Sequence, residues 1–151
     1  MFRRASALRN NELTDRNAAP AGLSPVGWRH KFHPVKLLLE NLPPGLQSQR
    51  ETLAKCLEAM HRALPWQAVY LFGSHARGEA RPDSDVDLCI VSDGAERQLE
   101  AARQWRLAMR AVWPRPAFTL VPISPERLAE KKACQDHFFA TVLKEGVLLA
   151  S

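Results

Sequence analysis

The chain has no apolar run long enough to cross a bilayer: stretches such as Leu37-Leu38-Leu39 and Ala68 to Phe72 fall far short of the roughly 20 residues a membrane helix needs. Cysteine is scarce. Cys56, Cys89 and Cys134 are far apart, odd in number and without a CxxC pair, so neither a zinc site nor a disulfide framework is expected. Reduced thiols point to the cytosol. The N-terminus carries arginines but no apolar h-region, so a secretory signal is not expected. No internal repeat or metal-ligand cluster of His and Cys is visible, and His30 and His33 beside Phe32 read as bystanders.

At 151 residues and 17.0 kDa the chain fits one domain, and its 46% apolar content excludes wholesale disorder. A net charge of +5 and a pI near 9.5 invite a nucleic-acid reading, so the location of the charge matters. Residues 1–34 hold six basic and two acidic residues, a net +4, whereas residues 35–151 hold fifteen and fourteen, a net +1. The basic segment 1–34, with few large apolar residues, reads as a solvated, flexible tail, with a nucleic-acid or membrane arm as the alternative. Residues 35–151 read as the folded domain.

Periodicity predicts a helix over 47–64, with Leu53, Leu57, Met60 and Leu64 on one stripe, stopped by Pro65. Strands are predicted over 67–72 and 85–92. A long helix fits 95–112, with Ala102, Trp105, Met109 and Val112 inward and Arg103, Arg106 and Arg110 on the wet face. That face is either simply solvated or a docking surface. A third strand is predicted over 117–123. Ser124-Pro125-Glu126 then opens a helix with an N-cap and a proline at N1. A last helix over 136–145 is capped by Gly146, with a short strand at 147–149. The order gives a small α/β (α+β) domain whose short mixed β-sheet is packed by helices.

The chemistry lies in Leu71-Phe72-Gly73-Ser74-His75-Ala76-Arg77-Gly78 and Ser84-Asp85-Val86-Asp87-Leu88. A strand ending at Gly73 can turn sharply and let a phosphate approach the backbone. Ser74 adds a hydroxyl and an N–H at the start of a helical turn. Asp85 and Asp87, at i and i+2 on a strand, put two carboxylates on one face with Val86 and Leu88 on the other. Two convergent carboxylates beside a phosphate cradle suit Mg2+, which takes one or two carboxylates, water and substrate phosphate oxygens. Arg77 is either a phosphate contact or a surface partner of Glu79 or Asp83. His75 reads as part of the helical turn, with a place lining the mouth of the site as the alternative.

Gly73-Ser74, ten intervening residues and Asp85-Val86-Asp87 resemble the GS-x10-DxD signature of the minimal nucleotidyltransferases, small members of the polymerase-β-like nucleotidyltransferase superfamily. Phe138-Phe139 and Lys144-Glu145-Gly146-Val147-Leu148-Leu149 are similar to that family's closing helix and strand. The resemblance covers residue 47 to the C-terminus. It implies the polymerase-β-like nucleotidyltransferase fold, Gly73 and Ser74 (with Arg77 as a candidate) holding a nucleoside triphosphate, and Asp85 and Asp87 ligating Mg2+. It further implies transfer of AMP from ATP to a hydroxyl, in the manner of antitoxins that AMPylate a partner HEPN-domain ribonuclease toxin.

One position departs from the family. The third carboxylate, usually supplied by the next strand, falls to Thr119, which cannot deprotonate a hydroxyl at neutral pH. Losing a general base costs about 10²–10⁴-fold in rate. Two readings therefore stand: an AMP-transferring enzyme, and a weakened or inactive fold that neutralises its partner by contact alone. Direct nucleic-acid binding, resting on the tail, ranks behind both.

Overall fold

The computed structural model describes residues 35–151; the readings of 1–34 as a tail, and of His30 and His33, lie outside the described residues. After 3-10 turns at Leu39–Asn41 and Pro44–Gln49 come α1 (Arg50–Ala63), β1 (Ala68–Phe72), the short α2 (Gly73–Arg77) and β2 (Val86–Val91). A 3-10 turn at Asp93–Glu96 leads to α3 (Gln98–Ala108), which runs on as a 3-10 turn at Met109–Ala111. Then follow β3 (Phe118–Ile123), α4 (Pro125–Ala133), α5 (His137–Glu145) and β4 (Val147–Ala150). The result is the expected mixed α+β domain.

The four strands form one sheet in the order β3-β2-β1-β4. β2 is parallel to β3, with α3 as the crossover, while β1 is antiparallel to both β2 and β4. Beyond β4 the chain entry covers the sheet edge: Lys36 and Ser151 exchange N–H to carbonyl bonds of 2.9 and 3.1 Å. Pro122 lacks an N–H, and it lies in β3, an edge strand where the missing donor costs least.

Strand alternation divides the core in two. Val69, Leu71, Val86, Leu88, Ile90 and Leu120 point to the side covered by α1 and α3. Cys89, Val91 and Ile123 point to the other side, against Leu128 of α4 and Phe139 and Val142 of α5. The buried face of α1 is Leu53, Cys56, Leu57 and Met60. Leu64 has already left the helix, and its carbonyl accepts the Trp105 indole N–H at 2.9 Å, tying α1 to α3. Burial pushes the Cys89 thiol up to about 12, so it behaves as a small apolar residue.

Two expectations need correction. The helix predicted over 95–112 is interrupted at Arg97 (φ −98°, ψ 82°), because Ser92 accepts the Gly94 N–H and starts a separate turn. Val112, half-buried beyond the 3-10 turn at Met109–Ala111, packs against the core as expected. Gly146 does end α5, but in an extended conformation (φ −69°, ψ 149°). The residue is glycine for want of room: a Cβ there would collide with the Val142 carbonyl.

Ser124 caps α4 by accepting the Arg127 N–H at 3.3 Å, as expected. Asp136 caps α5 by accepting the Phe139 N–H at 3.2 Å and pairs with Lys131 Nζ at 2.8 Å. The Lys131 bond first, then the Phe139 N–H, holds the Asp136 carboxyl below its ordinary value of 3.8. A carboxyl depressed by folding stabilises the native state above its unfolded pKa and loses that contribution as pH falls through the folded one. In denaturant titrations Asp136→Ala should therefore be less stable than the wild type at pH 7, with the gap closing well below pH 3.8; a constant gap would mean that the charge is irrelevant.

Candidate active site

Phe72, the last residue of β1, lies opposite Asp87 in the antiparallel ladder. The chain leaves β1 through Gly73 at φ +73°, a region that side-chain-bearing residues rarely adopt. This turn passes directly over the Asp87 carboxylate, and a Cβ on Gly73 would collide with Asp87 Oδ2. Glycine is thus required twice, for conformation and for room. Ser74 follows, half-buried, in the first turn of α2. The helix closes after one turn at Gly78 (φ +71°), whose N–H reaches the His75 carbonyl at 3.3 Å.

Asp85 is placed differently from the expectation. It precedes β2 and is exposed, whereas Asp87 lies within the strand and is half-buried. Three contacts hold Asp85 in place. His75, buried in α2, donates from Nε2 to the Ser84 carbonyl at 3.2 Å, which requires the proton on that nitrogen. The Ser84 hydroxyl accepts the Arg81 N–H at 2.8 Å, closing the approach loop. Thr119 Oγ1 then donates to Asp85 Oδ2 at 3.4 Å, and Thr119 itself stands opposite Asp87 in β3. Asp85, Asp87 and Thr119 therefore meet at one end of the sheet, on the face that α4 and α5 cover further along.

Arg77 pairs with Glu79 (Nε to Oε2, 2.9 Å), with side chains 45% and 65% exposed. Its charge is reinforced first by the Glu79 hydrogen bond, then by the charges of Glu79, Glu145 and Asp87. Of the two roles expected for Arg77, the surface pair is the one present; Glu79 and Asp83 are both exposed, as expected of loop acids. Pairs this exposed contribute little, so a phosphate can compete for the guanidinium.

Sequence reasoning missed two contributions. Neither role expected of His75, in the turn or at the mouth, includes its anchoring of the residue before Asp85; a lone histidine four residues into a motif carries no signal of a bond to a carbonyl nine residues on. The other is an aromatic wall: Phe72 meets Phe138 edge-to-face at 5.5 Å, and Phe138 meets Phe139 at 5.0 Å. Phe138 stays 44% exposed. An apolar residue on the outward side of an amphipathic helix was the available clue.

The donor set bears on the metal. Among the described residues no group of three or more His, Cys, Asp or Glu could enclose an ion. Two oxygen-bearing side chains, one exposed and one half-buried, suit Mg2+, which keeps water and substrate phosphate in its shell, and the absent Cβ of Gly73 is what lets Asp87 Oδ2 lie against the turn. Asp85 and Asp87 are the residues that would hold it. Gly73→Ala should fold with reduced stability, by about 1 kcal/mol or more, and lose Mg-nucleotide binding, whereas Gly45→Ala, with nothing within 4 Å of the added Cβ, should keep that binding. Calorimetry with Mg-ATP separates the two; undiminished binding by Gly73→Ala would show that the close approach plays no part.

Comparison with known proteins fits this geometry. One solved structure, a Sulfolobus solfataricus protein described as a candidate nucleotidyltransferase, is similar at 23% identity over 65% of this chain and 76% of that one, with a TM-score of 0.41. That likeness is too loose to carry an assignment. A comparison with curated proteins gives no match. The family match is stronger: residues 53–137, more than half of the chain and including every residue from Gly73 to Thr119, fit the nucleotidyltransferase domain, and the chain belongs to that family.

Proposed function

We propose that the chain is a magnesium-dependent nucleotidyltransferase that moves AMP from ATP to a hydroxyl of a partner protein, and that the partner is a HEPN-type toxin silenced by the modification. The single observation that carries the transferase reading is the glycine turn of β1 laid over Asp87, with Asp85 on the same face. The partner and the adenylyl group rest on the resemblance of Gly73-Ser74 and Asp85-Val86-Asp87 to minimal nucleotidyltransferases of antitoxin type. A reduced, cytosolic setting belongs to the same proposal.

In this reading the open backbone at Gly73 and Ser74 receives the triphosphate, and Arg77 exchanges Glu79 for a phosphate oxygen. Asp85 and Asp87 would hold the cation, which when bound would supply neutralisation of the phosphate charge. The acceptor oxygen bonds to the α-phosphorus, the α–β anhydride breaks, and pyrophosphate departs. The acceptor proton passes to water, because Thr119, beside Asp85 at 3.4 Å, is no base. Turnover is correspondingly slow, by about 10²–10⁴-fold relative to a site with a general base.

The same Thr119 favours a second reading, in which the fold neutralises its partner by contact alone. Intact-mass analysis of the partner after incubation with the chain and Mg-ATP decides between them. Transfer gives additions of one or more AMP units, lost in Asp85→Ala/Asp87→Ala. Thr119→Asp should restore a third carboxylate and raise the rate. An unmodified partner that the double variant still neutralises would establish contact alone.

A further inference from the structure

A cavity of about 380 Å3 lies at the start of β3, lined in part by Arg106, Met109, Arg110, Trp113, Arg115 and Phe118. Trp113 is 82% exposed, an unusual position for an indole, which normally buries most of its large apolar area. Arg106 and Arg110 are exposed, one turn apart. Arg115 is fixed by a 3.1 Å bond from Nη1 to the Val112 carbonyl, which leaves its other N–H groups free of that bond. The ion pairs among the described residues join other side chains, so these three guanidiniums have no carboxylate partner there. Arg103, by contrast, reaches Glu100 at 3.8 Å and lies outside the cavity lining.

Three guanidiniums around one hollow match phosphate oxygens in geometry and charge. A tryptophan face at the rim matches a nucleobase, and the volume falls in the range of small-molecule pockets. The residues 35–151 carry a net charge of only +1, so this concentration of positive charge is local. The cavity also adjoins the carboxylate end of the sheet. Ala117, which lines it, accepts the Val86 N–H at 2.8 Å. Two residues further along, about 7 Å of strand, Thr119 reaches Asp85.

We propose that this cavity binds one nucleotide of a single-stranded nucleic acid, with the base against Trp113 and backbone phosphate on Arg106, Arg110 and Arg115. It is a second site, separate from the triphosphate cradle, and it stands whichever hydroxyl accepts AMP. An acidic protein segment could satisfy the guanidiniums, but its carboxylates offer no ring for the indole face.

The test is fluorescence anisotropy of labelled short oligo(U) and oligo(dT) with the full-length chain, without ATP or Mg2+, across a salt series. Trp113→Ala, at an exposed position, should weaken binding by about 5- to 100-fold. Arg106→Gln/Arg110→Gln should flatten the slope of log affinity against log salt by about 0.7 for each phosphate that is no longer neutralised. Asp85→Asn/Asp87→Asn should not weaken binding, which separates this site from the proposed transferase function. Wild-type affinity in the Trp113 and arginine variants would place any binding outside this cavity and overturn the proposal. So would absence of oligonucleotide binding, or tighter binding of poly-glutamate than of either oligonucleotide, which would make the surface a protein dock.

Discussion

The carboxylate end of the molecule depends on a backbone turn passing close over a carboxylate. Pairing of Phe72 with Asp87 fixes where β1 ends relative to β2, and from that point the chain can proceed only through a left-handed residue without a side chain. Given that turn, α2 starts over the site, His75 reaches back to Ser84, and Asp85 is delivered beside Thr119. Shift the β1–β2 register by one residue and Asp87 would exchange faces with Leu88, burying a charge and exposing core.

The two faces of the sheet explain why the site is open. α1 and α3 cover one face along its length, while α4 and α5 cover the other around Cys89, Val91 and Ile123. The carboxylates lie on that second face but beyond the packed residues, with Phe72 and Phe138 as the last apolar contact. Core packing thereby supplies rigidity while Asp85 stays exposed and Asp87 half-buried.

Much of this was legible in the sequence, where one physical requirement dominated locally. The stripe Leu53, Leu57 and Met60 marked α1, Ser124-Pro125 and Asp136 marked helix starts, and Gly73-Ser74 with Asp85 and Asp87 marked the site. Legibility failed where a particular contact, and not a residue pattern, decides. The break at Arg97 comes from the Ser92 cap, Gly146 is dictated by the Val142 carbonyl, and Asp85 is placed by His75 and Thr119 rather than by a strand. Arg103, Arg106 and Arg110 are all exposed, as the wet face of α3 and its extension requires. Arg103 turns to Glu100, and Trp113 and Arg115, from the loop that follows, complete the cavity.

The central claim is that Asp85 and Asp87 bind a cation together with a nucleotide at the Gly73 turn. Titration of ATP by calorimetry, with Mg2+ and with a chelator, into the wild type and into Asp85→Asn/Asp87→Asn tests it most directly. The predicted result is binding by the wild type that requires Mg2+ and is absent from the double variant. Equal binding by both proteins, or wild-type binding indifferent to the metal, would contradict it.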